Sequence, residues 1–178
     1  MVNWRSALVL LAALIGLGIF AYVTRPQPAP QSPPQSFLCA THDAVLVRIQ
    51  SADRVVELER AAPADVWRLT QPVRSATEPD GVQYLMGSIS SIGVLNTLPT
   101  ADPPAAYGLD RPRETLTCRV VSGASYNLSV GNQSFDGSGY YAQKSGDSRV
   151  FVISGVAVDA FDRALAEPPV KPVPSPAG

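Results

Sequence analysis

Few residues in this chain have the types and spacing that catalysis requires. The sequence contains a single histidine, His42, which lies next to Asp43 and ahead of the first predicted strand. A hydrolytic triad needs a nucleophile, a base and an orienting group in contact, and no Gly-x-Ser-x-Gly elbow accompanies the serines. We therefore predict no catalytic residues, and we interpret the histidine as an ordinary surface side chain.

Metal binding needs several ligating side chains, and the sequence does not group them. Cys39 and Cys118 form no Cys-x-x-Cys pair, and one histidine is too few to complete a zinc site with them. Asp110, Asp136 and Asp147 fall in predicted turns, where aspartate usually accepts backbone hydrogen bonds, and their spacing does not fit a calcium loop. No metal site is predicted.

A glycine-rich stretch at 131–139, GNQSFDGSG, superficially suggests a phosphate cradle. It lacks the lysine of a P-loop and it does not open a helix, so we interpret it as a hairpin loop. No cofactor and no small-molecule ligand is predicted. Nucleic acid is excluded as a partner because the net charge is -1, the sequence pI is near 5.8 and the basic residues are scattered.

The N-terminal segment has the length and composition of a membrane anchor. Residues 6–23 carry no charge and are close to the ~20 apolar residues that cross a bilayer as a helix. A cleaved signal peptide is the competing interpretation, but the apolar run is long and no clean cleavage site follows it. Arg5, in a very short N-terminal tail, favours a cytoplasmic N-terminus.

Proline content divides the rest of the chain. We predict a transmembrane anchor at 1–25, a proline-rich linker at 26–36, an extracytoplasmic domain at 37–166 and a disordered proline-rich tail at 167–178. Outside the cytoplasm, Cys39 and Cys118 are free to form a disulfide. The alternative is that they are two small apolar residues in strands, and the sequence leaves both open.

Hydropathy periods predict an α+β domain. Apolar residues recur with the helical period at Val82, Leu85, Met86 and Ile89, in a helix capped at Pro79-Asp80 and ending near Gly93. A second, shorter helix is predicted around 158–165. Alternating segments predict strands at 45–49, 54–60, 66–70, 115–120, 126–130, 140–143 and 149–153. The order favours a mainly antiparallel sheet with one or two helices packed on one face, following the N-terminal transmembrane helix.

Several of these segments together resemble a known family, the bacterial membrane-anchored domain of unknown function 4340. The most specific element is Tyr107-Gly108-Leu109-Asp110 followed by Pro112. The other matching segments are 67–72 (WRLTQP), the acidic-capped helix from Asp80, 115–117 (TLT), 128–131 (LSVG), 140–141 (YY) and 150–153 (VFVI). The resemblance implies a single-span, extracytoplasmic protein without established enzymatic activity. Such proteins are often auxiliary to ABC-type export or gliding-motility systems, and this chain carries one copy of the unit where longer members carry more.

These observations predict a non-catalytic, membrane-tethered interaction module, an accessory subunit of a larger membrane complex. The expected partners are membrane lipid, through residues 6–23, and other membrane protein subunits, in a transporter-associated or another multisubunit assembly. The expected location is the cell (inner) membrane, as a single-pass protein with a signal anchor and a periplasmic or extracellular C-terminal domain. The alternative is an extracytoplasmic domain that binds a small ligand or a cell-wall component.

Overall fold

The protein is described by a computed structural model that covers residues 37–99 and 103–171. The predicted anchor at 6–23 and linker at 26–36, and the predicted tail beyond Lys171, lie outside these residues. None of the helices within the two ranges is long and apolar enough to cross a membrane.

The described residues form one antiparallel sheet, in which the spatial order of the strands differs from their order in the chain, and two α-helices. The strands are β1 (Ala44–Gln50), β2 (Val55–Glu59), β3 (Arg68–Gln71), β4 (Ser75–Ala76), β5 (Val94–Leu98), β6 (Glu114–Val120), β7 (Ser125–Gln133), β8 (Gly139–Lys144) and β9 (Val150–Ser154); the helices are α1 (Pro79–Ser90) and α2 (Gly155–Ala166). The sheet order is β4-β3-β2-β1-β6-β7-β8-β9-β5, and neighbouring strands run antiparallel. The predicted α+β class with a mainly antiparallel sheet is confirmed.

One face of the sheet is covered by the two helices. The helical stripes of α1 and α2 pack together and join the alternate strand residues in one apolar core, in which Leu85, Phe161, Val47, Leu116 and Leu128 are fully buried. The strand residues between them point to the opposite face, which is mostly polar. Burial of the apolar stripes is the main force that holds the helices in place.

Helix α1 begins one residue earlier than the sequence indicated. Glu78, not Pro79-Asp80, is the N-cap, and its carboxylate accepts hydrogen bonds from the backbone N–H groups of Asp80 and Gly81. Pro79 then occupies a first-turn position, where its missing N–H costs nothing because that group has no intrahelical partner. The helix ends at Ser90, ahead of the predicted end at Gly93.

Glu57 departs from the alternation of β2. It lies on the polar face, opposite Val56 and Leu58, yet it is buried. Arg48 Nε donates to its Oε2 at 2.6 Å and Thr70 Oγ1 donates to its Oε1 at 2.8 Å. Both carboxylate oxygens are thus satisfied by neighbouring strands, which compensates for the loss of water.

The described chain continues beyond α2 to Lys171, past the predicted domain end at 166, and its backbone is hydrogen-bonded to the fold. Glu78 N donates to Pro169 O, and Lys171 N donates to Ala76 O, each at 3.0 Å. Val170 also pairs with Thr77 as an isolated antiparallel bridge. The segment satisfies backbone groups at the β4 edge of the sheet, which explains why part of a proline-rich tail is held.

Cys39 and Cys118 form a disulfide, which decides between the two alternatives that the sequence left open. The bond attaches the segment ahead of β1 to the middle of β6 in the apolar core. It spans a sequence separation of 79 residues.

The Tyr107-Gly108-Leu109 element covers the polar face at its β9–β5 end. Pro104–Tyr107 forms a 3-10 turn that ends at Gly108, whose φ of 71° is the left-handed conformation expected of a glycine there. The Tyr107 ring meets the Tyr141 ring edge-on at 4.9 Å between centroids. Tyr107, Leu109 and Val150 thereby make a second, smaller apolar cluster.

Candidate functional site

A polar cleft opens where β6 begins under helix α2, and we call it the carboxyl cleft. Its volume is about 510 Å³, within the range of ligand sites in proteins. The turn between β1 and β2, the first residues of β6, the last of β7, Tyr140 of β8 and α2 surround it. Its lining residues are Ser51, Asp53, Arg54, Arg113, Glu114, Gly131, Asn132, Gln133, Tyr140, Asp162 and Leu165.

Glu114 is the buried acid of the carboxyl cleft. Its side chain is 2% exposed. Burial, then a hydrogen bond and like-charge repulsion with Asp162, raise the pKa of Glu114 to about 8, against the opposing attraction of Arg113. Its Oε2 atom has no hydrogen-bond partner among the described residues. Glu114 is therefore protonated at neutral pH and presents an unused acceptor.

Arg113 connects the exposed rim of the cleft to its floor. Its Nη2 lies 2.8 Å and 3.0 Å from the two carboxylate oxygens of Asp162, and 3.7 Å from Oε1 of Glu114. The guanidinium also lies 4.9 Å from the centroid of the Tyr140 ring, within cation–π range. The attraction of Arg113 lowers the pKa of Glu114, but burial and Asp162 outweigh it, so Glu114 keeps its proton.

The groups that line the carboxyl cleft are suited to form hydrogen bonds with a polar ligand. A neutral carboxyl group can donate one hydrogen bond and accept others, whereas a metal ion needs several ionised or nitrogen ligands. Within the described ranges, no group of three or more His, Cys, Asp or Glu side chains is close enough to hold a metal ion.

The carboxyl cleft contains none of the four side chains that were considered as candidates from the sequence, which are His42, Asp110, Asp136 and Asp147. His42 is exposed and contacts Asp43 at 3.2 Å. Asp110 lies in a bend, Asp136 in the β7–β8 turn and Asp147 in the connection between β8 and β9. Asp147 is held by Arg149, whose side-chain and backbone hydrogen bonds lower the pKa of Asp147 to about 2. Glu114 and Asp162 were not identified from the sequence.

A second feature is the tip of the β7–β8 hairpin, where Phe135 is 99% exposed. This is the glycine-rich stretch at 131–139, and it is a hairpin loop as the sequence indicated. Asp136 Oδ1 accepts hydrogen bonds from Ser134 Oγ at 2.7 Å, Ser138 Oγ at 2.8 Å and Ser138 N at 3.1 Å. These bonds lower the pKa of Asp136 to about 2, so the tip carries a fixed negative charge beside Phe135.

Further bonds hold the loop to the sheet. Ser134 N donates to Gly139 O at 2.8 Å, Gly139 N donates to Ser134 Oγ at 3.0 Å, and Phe135 N donates to the Tyr141 hydroxyl at 3.2 Å. The backbone under the exposed ring is thus fixed by its own hydrogen bonds. The Phe135 side chain is therefore exposed on a fixed loop and does not contribute to the packing of the fold.

More apolar side chains are exposed at the same end of the sheet. Val94 and Leu95 belong to the edge strand β5, and Leu95 lies beside Gly139, where the hairpin loop ends. Val156, in the first turn of α2, lies two residues after Ser154, the strand partner of Gly139. We call Phe135, Val94, Leu95 and Val156 the apolar tip.

Comparison with known proteins gives one result. The family model described as a domain of unknown function (DUF4340) matches residues 48–168, from β1 to just past the end of α2. No curated protein and no solved structure is significantly similar to the chain. The matched span contains the carboxyl cleft, the apolar tip and the Tyr107-Gly108-Leu109 element, and it exceeds half of the chain. The protein therefore belongs to the DUF4340 family.

Proposed function

We propose that this protein is a non-catalytic, membrane-tethered interaction module, an accessory subunit of a larger membrane protein complex. Residues 6–23 anchor it in the cell (inner) membrane with the N-terminus in the cytoplasm, and the folded domain faces the periplasm or the cell exterior. The Cys39–Cys118 disulfide supports this location, because structural disulfides persist mainly in oxidising compartments. The complex is transporter-associated or another multisubunit membrane assembly.

The observation that carries the proposal is the exposed ring of Phe135 on a loop fixed by hydrogen bonds. Isolated apolar side chains are common on protein surfaces, but here an exposed aromatic ring occurs at the same end of the sheet as the exposed Val94, Leu95 and Val156. Aromatic anchors surrounded by smaller apolar contacts are typical of protein interfaces. The fixed loop also lowers the entropy lost on binding, since its backbone is already ordered.

The partner that fits the apolar tip is a protein and not the lipid surface. Asp136, next to Phe135, keeps its negative charge because its pKa is held near 2. A carboxylate beside the ring disfavours contact with anionic lipid, whereas a protein surface can supply a hydrogen-bond donor to it.

The proposal is tested by extracting the tagged full chain in a mild detergent and identifying the proteins that co-purify. Burial of a phenylalanine side chain contributes about 1.5–3 kcal/mol, so Phe135→Ala should weaken the complex roughly tenfold to a hundredfold. Phe135→Leu keeps an apolar side chain and should retain most of the binding. Val121→Ala truncates an exposed valine outside the tip and serves as the control.

Two results would contradict this function. Migration of the extracted wild-type protein as a free monomer argues against a subunit role. Equal recovery of the partner with Phe135→Ala and wild type would remove the apolar tip from the interface.

A second function, binding of a small polar ligand or a cell-wall component, is favoured by the unpaired Oε2 of Glu114 in the carboxyl cleft. A ligand that supplies a hydrogen-bond donor there removes the cost of a buried unsatisfied acceptor. Screening polar ligands by thermal shift tests it: a genuine ligand raises the Tm of the wild type and not that of Glu114→Leu. A ligand that stabilises both equally binds elsewhere.

A further inference from the structure

A second concave surface lies at the opposite end of the sheet from the apolar tip, on β2 and β3 and the loops beside them. Its volume is about 930 Å³, and we call it the arginine groove. Its lining residues are Val45, Glu59, Arg60, Ala61, Asp65, Val66, Arg68, Leu69, Thr70, Arg74, Ser75, Ala76 and Arg119. Four of these side chains are arginines and two are carboxylates, although the whole chain has a net charge of -1.

The two carboxylates of the groove are already engaged. Glu59 Oε1 lies 3.6 Å from Nη2 of Arg119, and Asp65 Oδ2 accepts a hydrogen bond from Ala62 N at 3.0 Å. Arg68 is directly opposite Glu59 in the β2–β3 register, yet it forms no ion pair with it. The acids of the groove therefore do not neutralise its remaining arginines.

Arg60 has a structural role in the wall of the groove. Its Nε donates to Ala44 O at 2.7 Å, its Nη2 donates to His42 O at 2.7 Å, and its Nη1 donates to Pro63 O. Its guanidinium also lies 4.5 Å from the centroid of the Trp67 ring. Burial lowers the pKa of Arg60, but the group stays charged and adds to the positive potential.

Arg68 and Arg74 are the free cations of the groove. Both are exposed, and neither makes a side-chain hydrogen bond or ion pair within residues 37–99 and 103–171. Here two unpaired guanidinium groups line one concave surface, beside Val66, whose side chain is 76% exposed.

We propose that the arginine groove binds an acidic segment of a partner protein. Carboxylates of the segment pair with Arg68 and Arg74, whose planar guanidinium groups suit two parallel hydrogen bonds to a carboxylate. An aliphatic part of the same segment packs on Val66, which no residue of the described chain covers. The charge of the groove and its unpaired donors define the chemistry of this occupant.

We assign the segment to another molecule, because the residues of this chain outside the described ranges do not provide it. Outside the described ranges, the sequence of this chain has one acidic residue, Asp102, and residues 1–36 and 172–178 have none. A flat bilayer surface also fits poorly, because the groove is concave and Glu59 and Asp65 lie in it. A protruding peptide can enter between the β2–β3 loop and the β3–β4 loop and reach both Arg68 and Arg74.

This inference goes beyond the apolar tip and is independent of it. The groove lies on β2–β3 and the tip on β5, β7–β8 and the start of α2, so the two surfaces share no residue. Phe135→Ala is expected to leave the groove's binding unchanged. Failure of one proposal is thus distinguishable from failure of the other.

The test uses the full chain in nanodiscs of uncharged phosphatidylcholine and fluorescence anisotropy of a labelled oligoglutamate peptide. An oligoglutamine peptide of equal length is the uncharged probe. We expect the glutamate peptide to bind, the glutamine peptide not to bind, and binding to weaken as salt screens the charges. Arg68→Gln and Arg74→Gln should each raise the Kd several-fold to about tenfold, since charge-assisted bonds at an exposed site contribute modestly to affinity.

Arg111→Gln is the matched control. Arg111 is also exposed and lies outside the groove, so its replacement changes the net charge equally. Intrinsic fluorescence of Trp67, in a Trp4→Phe background, checks that each variant is folded. If Arg111→Gln weakens peptide binding as much as Arg68→Gln, the attraction is diffuse and the groove is not a site.

Two further measurements separate other occupants. Co-sedimentation with phosphatidylglycerol vesicles that depends on Arg68, without peptide binding, would assign the groove to lipid and overturn the proposal. Dimerisation of the wild type that Arg68→Gln abolishes would assign it to a second copy of this chain and overturn it equally. Absence of any difference between the glutamate and glutamine peptides would also refute it.

Discussion

Replacement of Glu114 by glutamine should remove a pH dependence from the stability of the domain. In the unfolded chain a glutamic acid has a pKa near 4.5, and in the folded protein burial and Asp162 raise the pKa of Glu114 to about 8. Between these values the folded state binds a proton that the unfolded state has lost. The contribution of Glu114 to the free energy of unfolding therefore falls as the pH rises from 4.5 to 8, and this contribution is constant outside that window.

The size of the effect follows from the two pKa values. A shift of about 3.5 units at 1.36 kcal/mol each sets an upper limit of about 5 kcal/mol. Arg113 and Asp162 are half-exposed, and the water that reaches them reduces this limit. We expect a loss of about 2–4 kcal/mol between pH 5 and pH 8 in the wild type. Glutamine is uncharged throughout and can still donate to Asp162, so Glu114→Gln should show almost no loss.

The assay is urea unfolding of the full chain in mild detergent at pH 5, 6, 7 and 8. The chain has two tryptophans, and a Trp4→Phe background leaves Trp67, which is buried under Arg60, as the reporter. Asp162→Asn should give an intermediate slope, because it removes the negative charge whose repulsion helps to raise the pKa of Glu114, while burial remains. Asp147→Asn should leave the slope unchanged, because the pKa of Asp147 is about 2 and it stays ionised in this range. If the free energy of unfolding of Glu114→Gln falls with pH as steeply as that of the wild type, Glu114 does not have a raised pKa in the folded protein.

Two further predictions concern the fold itself. The double variant Cys39→Ser, Cys118→Ser should lower the free energy of unfolding by about 4.5 kcal/mol on the chain-entropy model, since the loop that the bond closes is long. Urea unfolding of the variant and the wild type measures this difference. A loss under 1 kcal/mol would mean that the unfolded chain is already compact without the bond. Gly131→Ala should destabilise by roughly 3 kcal/mol or more, because its Cβ would lie 2.2 Å from Tyr107 O. Gly87→Ala, in a helix with open space around it, should instead stabilise by about 0.5–1 kcal/mol, and the same sign for both variants would contradict this explanation.

The sequence predicted the elements whose burial follows a clear period. The alternation of Leu116, Cys118 and Val120 and the helical repeat through Leu85 and Ile89 each mark one buried face, and the structure places those faces in the core. Strand β5 was missed because its side chains are mostly exposed, so the alternation that identifies a half-buried strand is absent. Strand β4 is two residues long and gives no periodic signal at all.

The candidate site was missed for a different reason, although part of its signal was present. Glu114 stands two residues before Leu116, so the period of the strand puts it on the buried face. Asp162 is four residues after Val158 and three before Leu165, at the edge of the helical stripe. A charged residue in phase with an apolar stripe indicates a buried acid. That Glu114 and Asp162 meet depends on how α2 crosses the sheet, which local periodicity does not encode.

The two proposed surfaces use different forces, and salt separates them. Contact at the apolar tip comes from burial of Phe135 and its neighbours, which added salt does not screen, whereas pairing at the arginine groove is electrostatic and weakens once charges are screened within about 10 Å. If one partner occupies both surfaces, the losses from Phe135→Ala and Arg68→Gln should add in free energy, because the sites share no residue. High salt should then abolish the effect of Arg68→Gln and leave that of Phe135→Ala. A complex that responds to Phe135→Ala alone at every salt concentration would assign the groove to a different partner from the one at the tip.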